Sequence, residues 1–122
     1  MAKGFSLIES LIVMGILGIL FCIGLPALSS FQGSILLDST AKAIASELQH
    51  LQSQAQLQHT NHIFSSADFP LPKFIKYQST ASIVFSSSGN PSVGGSGSIV
   101  LVNAQGKTKQ IIVSSLGRIR IE

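Results

Sequence analysis

The feature that most constrains this chain is an apolar run from Phe5 to Leu25 in which Glu9 is the single charged residue. Twenty-one helical residues span about 30 Å, the thickness of one bilayer hydrocarbon core. A secretory signal peptide has a shorter apolar region followed by a small-x-small cleavage site. The run therefore predicts one membrane-spanning helix, and the short flank with Lys3 predicts that the amino terminus stays cytoplasmic while the rest crosses.

Glu9 is the residue that a plain membrane anchor does not explain. An ionised side chain near the bilayer centre costs about 2.5–3.5 kcal/mol, so such groups usually have a partner and a function. Neither Ser6 nor Ser10 carries a positive charge. The partner must therefore come from another chain, from a new amino terminus or from water at the interface.

The composition of the whole chain agrees with a protein that is only partly in water. Of its 122 residues, 11% are charged and 45% are hydrophobic. That low charge predicts a surface covered in part by lipid or by other subunits. Cys22 is the one cysteine, so it cannot form an intrachain disulfide, and its place in the apolar run predicts packing as a small hydrophobe.

After Pro26 the sequence becomes amphipathic. Apolar residues recur at spacings of four and three, which is one stripe of an α-helix: Leu37, Ala41, Ile44, Leu48, Leu51 and Ala55. We therefore expect one helix from Phe5 to about His59, apolar all round at first and then one-sided. Pro26, Ser29, Ser30 and Gly33 are weak helix formers that loosen it locally.

Short β-strands are predicted for the rest of the chain, at 61–64, 73–78, 82–86, 98–103, 108–114 and 118–121. Ala104–Gly106 and Leu116–Gly117 are expected as hairpin turns. The glycine- and serine-rich stretch 86–98 is interpreted as a mobile hairpin loop that does not pack. The resulting fold class is α+β: a long N-terminal helix, transmembrane and then amphipathic, packed on a small antiparallel β-meander.

Enzymatic and metal chemistry are not indicated. His50, His59 and His62 have no third ligand at suitable spacing, which favours a solvated helix end over a metal site. The five acidic residues are scattered and the serines lie in loops, so no nucleophile–base–orienter set can be assembled. The sequence predicts neither an enzyme nor a resident cofactor.

The basic residues concentrate near the C-terminus, where Lys107, Lys109, Arg118 and Arg120 fall within sixteen positions whose only acid is Glu122. On a strand, the two arginines project to one face and the alternate isoleucines to the other. The two arginines, with the two lysines on a neighbouring strand, could hold phosphates without reading sequence. Solvated charge on an edge strand, which deters aggregation, is the other interpretation. Both remain open from composition.

The stretch from Lys3 to Glu9 resembles the prepilin cleavage motif of type IV pilins and type II secretion pseudopilins: a short basic leader ending in Gly, then Phe, with Glu at the fifth mature position. The resemblance implies a leader at 1–4, a filament-core helix at 5–28 and a soluble domain at 29–122. A prepilin peptidase would cut between Gly4 and Phe5 and methylate the Phe5 amino group. Glu9 would pair with Phe5 of a neighbouring subunit. The protein would lie in the bacterial inner membrane with its soluble domain in the periplasm or outside, and enter a pilus or pseudopilus with other pilins.

The C-terminal half resembles the GspH/FimT family of minor pilins and H-type minor pseudopilins, through 83–86 with Gly89, 97–101 and 111–120. The ending Gly117–Arg120 is similar to the GRxR ending associated with DNA binding by FimT-type minor pilins in natural transformation. The resemblance implies a FimT-type minor pilin that binds DNA for uptake. Two alternatives remain: an H-type minor pseudopilin of a type II secretion system, and a membrane-tethered DNA-binding protein that does not polymerise.

Overall fold

The computed structural model describes residues 6–122. One α-helix, α1, runs from Leu7 to Gln58 and contains Pro26. His59 follows it with φ of 52°, the left-handed conformation that commonly ends helices. The prediction of one long N-terminal helix is confirmed.

The chain divides into two compact units, and the second begins at Gly33. In the first unit, every described residue of α1 is exposed, including the large apolar side chains from Leu7 to Phe31. Within the described residues, α1 is the one helix long and apolar enough, by length and composition, to cross a membrane. A helix that is apolar all round and uncovered in water is unstable there, so this unit requires lipid or other helices around it.

Six strands follow the helix in the second unit, all of them close to the predicted ranges. They are β1 (His62–Ser65), β2 (Ile75–Ser79), β3 (Ser82–Phe85), β4 (Gly97–Asn103), β5 (Thr108–Val113) and β6 (Ile119–Ile121). The strands β2-β4-β5-β6 form one antiparallel sheet, and β1 and β3 form a separate antiparallel pair.

The predicted meander differs from the structure at β3. This strand pairs with β1, its Ile83 opposite Phe64, so β3 and β4 are not a hairpin. The connection between them also packs, contrary to expectation: Gly89 and Gly95 are buried, and Ser92 donates its N–H to the oxygen of Val84 at 2.8 Å. Glycine has no side chain, so these backbone segments approach the strands and the helix more closely than larger residues would allow.

The core lies between the amphipathic part of α1 and the helix-facing side of the strands. Ile44 and Leu48 are fully buried, and Leu51 packs against the cluster at partial exposure, as the predicted stripe requires. The strands contribute their alternate apolar residues: Ile83, Phe85, Ile99, Leu101, Ile111 and Val113. The second unit is thus the α+β, pilin-like arrangement of a helix packed on antiparallel sheets.

Candidate functional site

The amino-terminal candidate site is only partly within the described residues. Gly4 and Phe5, the expected cleavage and methylation positions, lie outside them. Glu9 lies within them, in the first turn of α1, with an exposed side chain. A carboxylate there interacts favourably with the positive end of the helix dipole, and it is free to meet a cation from outside the chain.

Ser6 and Glu9 have the spacing of a motif that begins helices. Ser6 immediately precedes the helix, its carbonyl oxygen accepts from the N–H of Glu9 at 3.0 Å and of Ser10 at 3.2 Å, and Glu9 is the third helical residue. Ser-x-x-Glu at these positions is the spacing of a capping box, in which the acidic side chain helps satisfy the first free N–H groups. The sequence already shows this spacing, since Glu9 comes three positions after Ser6. Within residues 6–122, however, neither the Glu9 nor the Ser6 side chain makes a hydrogen bond, so the pair has the spacing of a capping box without its side-chain contacts.

The carboxyl-terminal candidate site is built by β6 and the turn before it. Arg118 and Arg120 are exposed, whereas Ile119 and Ile121 are half-buried and pack against the core. Arg120 pairs with Ile112 of β5. Strand alternation therefore places both arginines on the sheet face that points away from the helix.

A long-range contact with the helix fixes the turn that precedes Arg118. Gly117 has φ of 76°, and its N–H donates to the oxygen of Ser114 at 2.9 Å. The Gln52 side chain donates Nε2–H to the oxygens of Gly117 at 3.2 Å and Gly89 at 2.8 Å. Gln52 thus joins α1 to two separate loops and sets where β6 begins. No local pattern in the sequence indicates a contact between residues so far apart.

The two C-terminal lysines do not join the arginines. Lys107 Nζ donates to Ser34 Oγ at 2.9 Å, and Lys109 Nζ lies 3.6 Å from Asp38 Oδ1. Both lysines therefore engage α1 at the start of β5, whereas Arg118 lies past its far end. Lys109 also pairs with the buried Leu101, so it occupies the opposite sheet face from Arg120. The expected four-residue basic patch is divided into two sites.

The lysine site has a carboxylate partner, Asp38, and in the described part of the chain the arginines have none. This carboxylate contacts Lys42 Nζ at 2.7 Å as well as Lys109, and the hydrogen bond from Lys42 lowers the pKa of Asp38 below its ordinary value. Within residues 6–122, neither Arg118 nor Arg120 makes an ion pair or a side-chain hydrogen bond. Two unpaired guanidinium groups on one face can contact phosphates, and nothing in that geometry reads base identity.

Two of the three histidines, His59 and His62, lie just after the helix ends, and His50 lies within it. His62 Nε2 is 3.2 Å from both Gln58 Oε1 and Thr60 Oγ1, and His50 contacts Gln54. In the part of the chain that the structure describes, no three His, Cys, Asp or Glu side chains come together in a way that could hold a metal ion. The contacts of His62 instead connect the last residue of the helix to the turn that follows it.

Comparison with known proteins concerns the amino-terminal site. A family model for the prokaryotic N-terminal methylation motif matches residues 1–21. No curated protein and no solved structure matches the chain. The motif is one of structural pilins rather than of an enzyme family, and it implies processing by prepilin peptidase and assembly with other pilins. Followed by a helix apolar enough to cross a membrane, it indicates that the chain is a prepilin of the type IV pilin or pseudopilin type.

Proposed function

We propose that the chain is a minor type IV pilin of the FimT type. In this proposal the prepilin peptidase cuts between Gly4 and Phe5, methylates Phe5, and leaves a subunit held in the inner membrane by residues 5–28. The observation that carries the proposal is the fully exposed apolar part of α1, which begins within the methylation motif and continues beyond it. Such a helix needs neighbours of its own kind once it leaves lipid.

Glu9 gives this assembly its register. After cleavage the amino group of Phe5 becomes a cation close to the start of the helix. A carboxylate buried among apolar helices recovers its desolvation cost only when an opposite charge approaches it. We infer that Glu9 of one subunit pairs with the Phe5 amino group of the next, so that only one axial offset between the helices satisfies both charges.

Arg118 and Arg120 are proposed as a non-specific contact for DNA. Their support is exposure, a shared face, and the absence of an ion-pair partner within residues 6–122. Two phosphate contacts give a modest affinity, with a slope of about −2 in log K against log salt concentration. DNA uptake would then be the role of the subunit in the pilus.

A second candidate function is favoured by the division of the basic residues. Because Lys107 and Lys109 contact α1 rather than joining the arginines, the surface available to DNA is smaller than the sequence suggested. An H-type minor pseudopilin of a type II secretion system needs the same anchor and assembly helix but no nucleic-acid surface. The two candidates therefore differ in whether the arginines bind DNA.

A gel-shift series with the detergent-solubilised full chain separates these candidates. The arginine variant carries Arg118→Gln and Arg120→Gln, and the matched control carries Lys107→Gln and Lys109→Gln, an equal change in charge. We expect a shift at low salt that the arginine variant loses and the control retains. Absence of a wild-type shift at low salt would reject DNA binding and favour the secretion candidate. Equal loss in both variants would assign the binding to net charge alone.

Processing is tested separately by mass spectrometry of chains co-expressed with a prepilin peptidase. Gly4→Ala should leave the leader attached, because the added methyl group obstructs the extended backbone in the peptidase cleft. Gly15→Ala is the control, since a Cβ at Gly15 meets no atom of this chain within 4 Å. A normal Phe5 terminus in the Gly4 variant would count against cleavage at this site.

A further inference from the structure

The described lysines share one end of the four-stranded sheet. Ile75 at the start of β2 pairs with Asn103 at the end of β4, and Thr108 at the start of β5 pairs with Val102, so these three strand ends lie together. Five lysines, hereafter the lysine cluster, border them: Lys42, Lys73, Lys76, Lys107 and Lys109. Arg118 and Arg120 lie at the other end of β5.

The lysines of the cluster have neighbours on the β2 side and on the helix side of the β4–β5 turn. Lys73 and Lys76 line one pocket of about 230 Å³ with Asn103 and Ala104 of the β4–β5 connection. On the helix side, Lys109 and Lys42 share the carboxylate of Asp38, and Lys107 contacts Ser34. Strand alternation places Lys76, opposite Val102, on the sheet face that points away from the helix, and Lys109, opposite Leu101, on the face toward it. The cluster therefore surrounds this end of the sheet from both faces.

The cluster is strongly positive and mostly uncompensated. Within residues 6–122, Asp38 is the one carboxylate within ion-pair distance of a lysine. Lys73 and Lys76 are exposed and have no side-chain partner there. Phe74, which follows Lys73 in the chain and lines the same pocket as both lysines, is 64% exposed, so its aromatic ring lies largely in water. At membrane surfaces, phenylalanine side chains enter the boundary between headgroups and acyl chains while neighbouring lysines are attracted to anionic headgroups.

The covalent chain sets an upper limit on the distance between this end of the sheet and the apolar run. The β4–β5 turn packs on α1 at Gly33 and Ser34, where a Cβ on Gly33 would meet the Gln105 side chain. Gly33 comes eight positions after Leu25, the end of the apolar run. Even fully extended, eight residues reach only about 29 Å. Gln52, which holds the arginine turn, comes nineteen residues later.

We propose that the lysine cluster, with Phe74, is a docking surface for the anionic phospholipid headgroups of the bilayer that the apolar helix enters. It holds the folded unit Gly33–Glu122 against that bilayer. The inference rests on membrane anchoring and not on DNA binding. Each lysine near an anionic surface strengthens attachment about fivefold at moderate salt, and added salt weakens it because the Debye length shortens from about 10 Å at 0.1 M to about 3 Å at 1 M.

The test places the full chain in nanodiscs of phosphatidylcholine alone or with phosphatidylglycerol, each containing a lipid that carries a nitroxide on its headgroup. The readout is paramagnetic broadening of the backbone amide signals of residues 73–76 and 104–107. We expect stronger broadening in the anionic nanodiscs, and loss of that difference at high salt. The Lys73→Gln, Lys76→Gln variant should weaken attachment of the folded unit to the anionic bilayer about 25-fold, because each of the two lysines contributes about fivefold.

The control variant Arg118→Gln, Arg120→Gln removes the same charge from the other end of the sheet and should leave the broadening unchanged. Equal broadening in neutral and anionic nanodiscs would overturn the docking surface while leaving the anchor intact. Equal losses of broadening in the lysine and arginine variants would also overturn it. A shift of the amide signals of residues 73–76 by duplex DNA in neutral nanodiscs would assign the cluster to nucleic acid instead. Failure of the chain to enter either nanodisc would reject the anchor and the docking surface together.

Discussion

Gln52 donates a hydrogen bond from its side-chain amide to the main-chain oxygen of Gly117 at 3.2 Å, across 65 residues of sequence. The same nitrogen also donates to the oxygen of Gly89. A buried carbonyl left without a donor is costly, so both loops depend on this amide. The start of β6, and with it the direction of Arg118, is therefore set by a residue on the helix.

Substituting Gly117 tests this contact, with Gly106 as a matched control. Both glycines end hairpin turns, with φ of 76° and 78°, so alanine at either costs about 1–2 kcal/mol in backbone strain. At Gly117 the new Cβ would also lie 2.6 Å from Gln52 Nε2, whereas at Gly106 it meets nothing within 4 Å. We expect Gly117→Ala to lower the free energy of unfolding by about 1–3 kcal/mol more than Gly106→Ala.

The measurement is urea unfolding of the solubilised chain, followed by the fluorescence of Tyr77, the one tyrosine. In a Gln52→Ala background, the excess cost of Gly117→Ala over Gly106→Ala should shrink, because the amide is gone and the closest remaining atom to the new Cβ is the oxygen of Gly89 at 3.1 Å. Equal costs of the two glycine substitutions in the wild-type background would show that Gln52 exerts no steric control on the turn.

Local sequence patterns predicted the elements of this fold but not all of their partners. The helix stripe through Ile44 and Leu48 and the six strands follow from apolar periodicity, which depends only on neighbouring residues. The pairing of β3 with β1 does not, because antiparallel partners are chosen by the packing of the whole unit.

The separation of the lysines from the arginines could have been predicted from the sequence. Lys109 has the same parity as the buried Ile111 and Val113, so alternation along β5 already places it on the helix-facing side. Proximity in sequence to Arg118 and Arg120 suggested one patch instead. The contact between Gln52 and Gly117 was not predictable in this way, since nothing local in either segment depends on it.

Truncation of Leu48 tests the core that joins the helix to the sheet. Leu48 is 0% exposed, whereas Leu57 on the same helix is 81% exposed. We expect Leu48→Ala to cost about 2–5 kcal/mol of unfolding free energy through lost burial and a cavity, and Leu57→Ala to stay within about 0.5 kcal/mol of wild type. Urea midpoints of the two variants provide the comparison. Similar losses would indicate that helix propensity, not packing, holds α1 in this unit.

Tyr77 offers a substitution that should stabilise the protein. Its hydroxyl is buried and has no hydrogen-bond partner within residues 6–122, and burial raises the pKa of Tyr77 above its ordinary value of 10.0. Because an unsatisfied buried hydroxyl costs about 1–3 kcal/mol, we expect Tyr77→Phe to unfold at higher urea concentration than wild type. Circular dichroism is the probe, since the variant lacks the fluorophore.

The same substitution predicts a difference at alkaline pH. A raised folded-state pKa means that the folded protein holds the tyrosine proton more tightly than the unfolded chain does. The stability from this linkage is complete below pH 10.0 and is lost as pH rises through the folded pKa. The advantage of Tyr77→Phe over wild type should therefore grow above that pH, while lysine titration cancels in the comparison. A constant difference between the two proteins from neutral to alkaline pH would contradict the buried hydroxyl.

Substituting Glu9 separates the proposed charge pair between subunits from a contribution of the capping-box spacing to the helix start. Glutamine can replace glutamate in a capping box, so Glu9→Gln retains the helix start and removes only the charge. Glu9→Ala removes both. We expect both variants to insert in the membrane, because neutral side chains enter lipid more easily than a carboxylate. Both should then fail to enter filaments, because the Phe5 amino group of the neighbouring subunit has lost its partner.

The measurement is the fraction of subunit in sheared filaments relative to membranes, in cells that make the remaining pilins and the prepilin peptidase. If the Glu9→Gln variant enters filaments normally and the Glu9→Ala variant does not, Glu9 acts at the helix start with Ser6. The proposed charge pair between subunits is then rejected. If wild-type protein itself stays in the membrane fraction but shifts DNA through Arg118 and Arg120, the protein is a tethered DNA-binding protein that does not polymerise. An intersubunit charge pair requires that the wild-type subunit enters filaments and that neither Glu9 variant does.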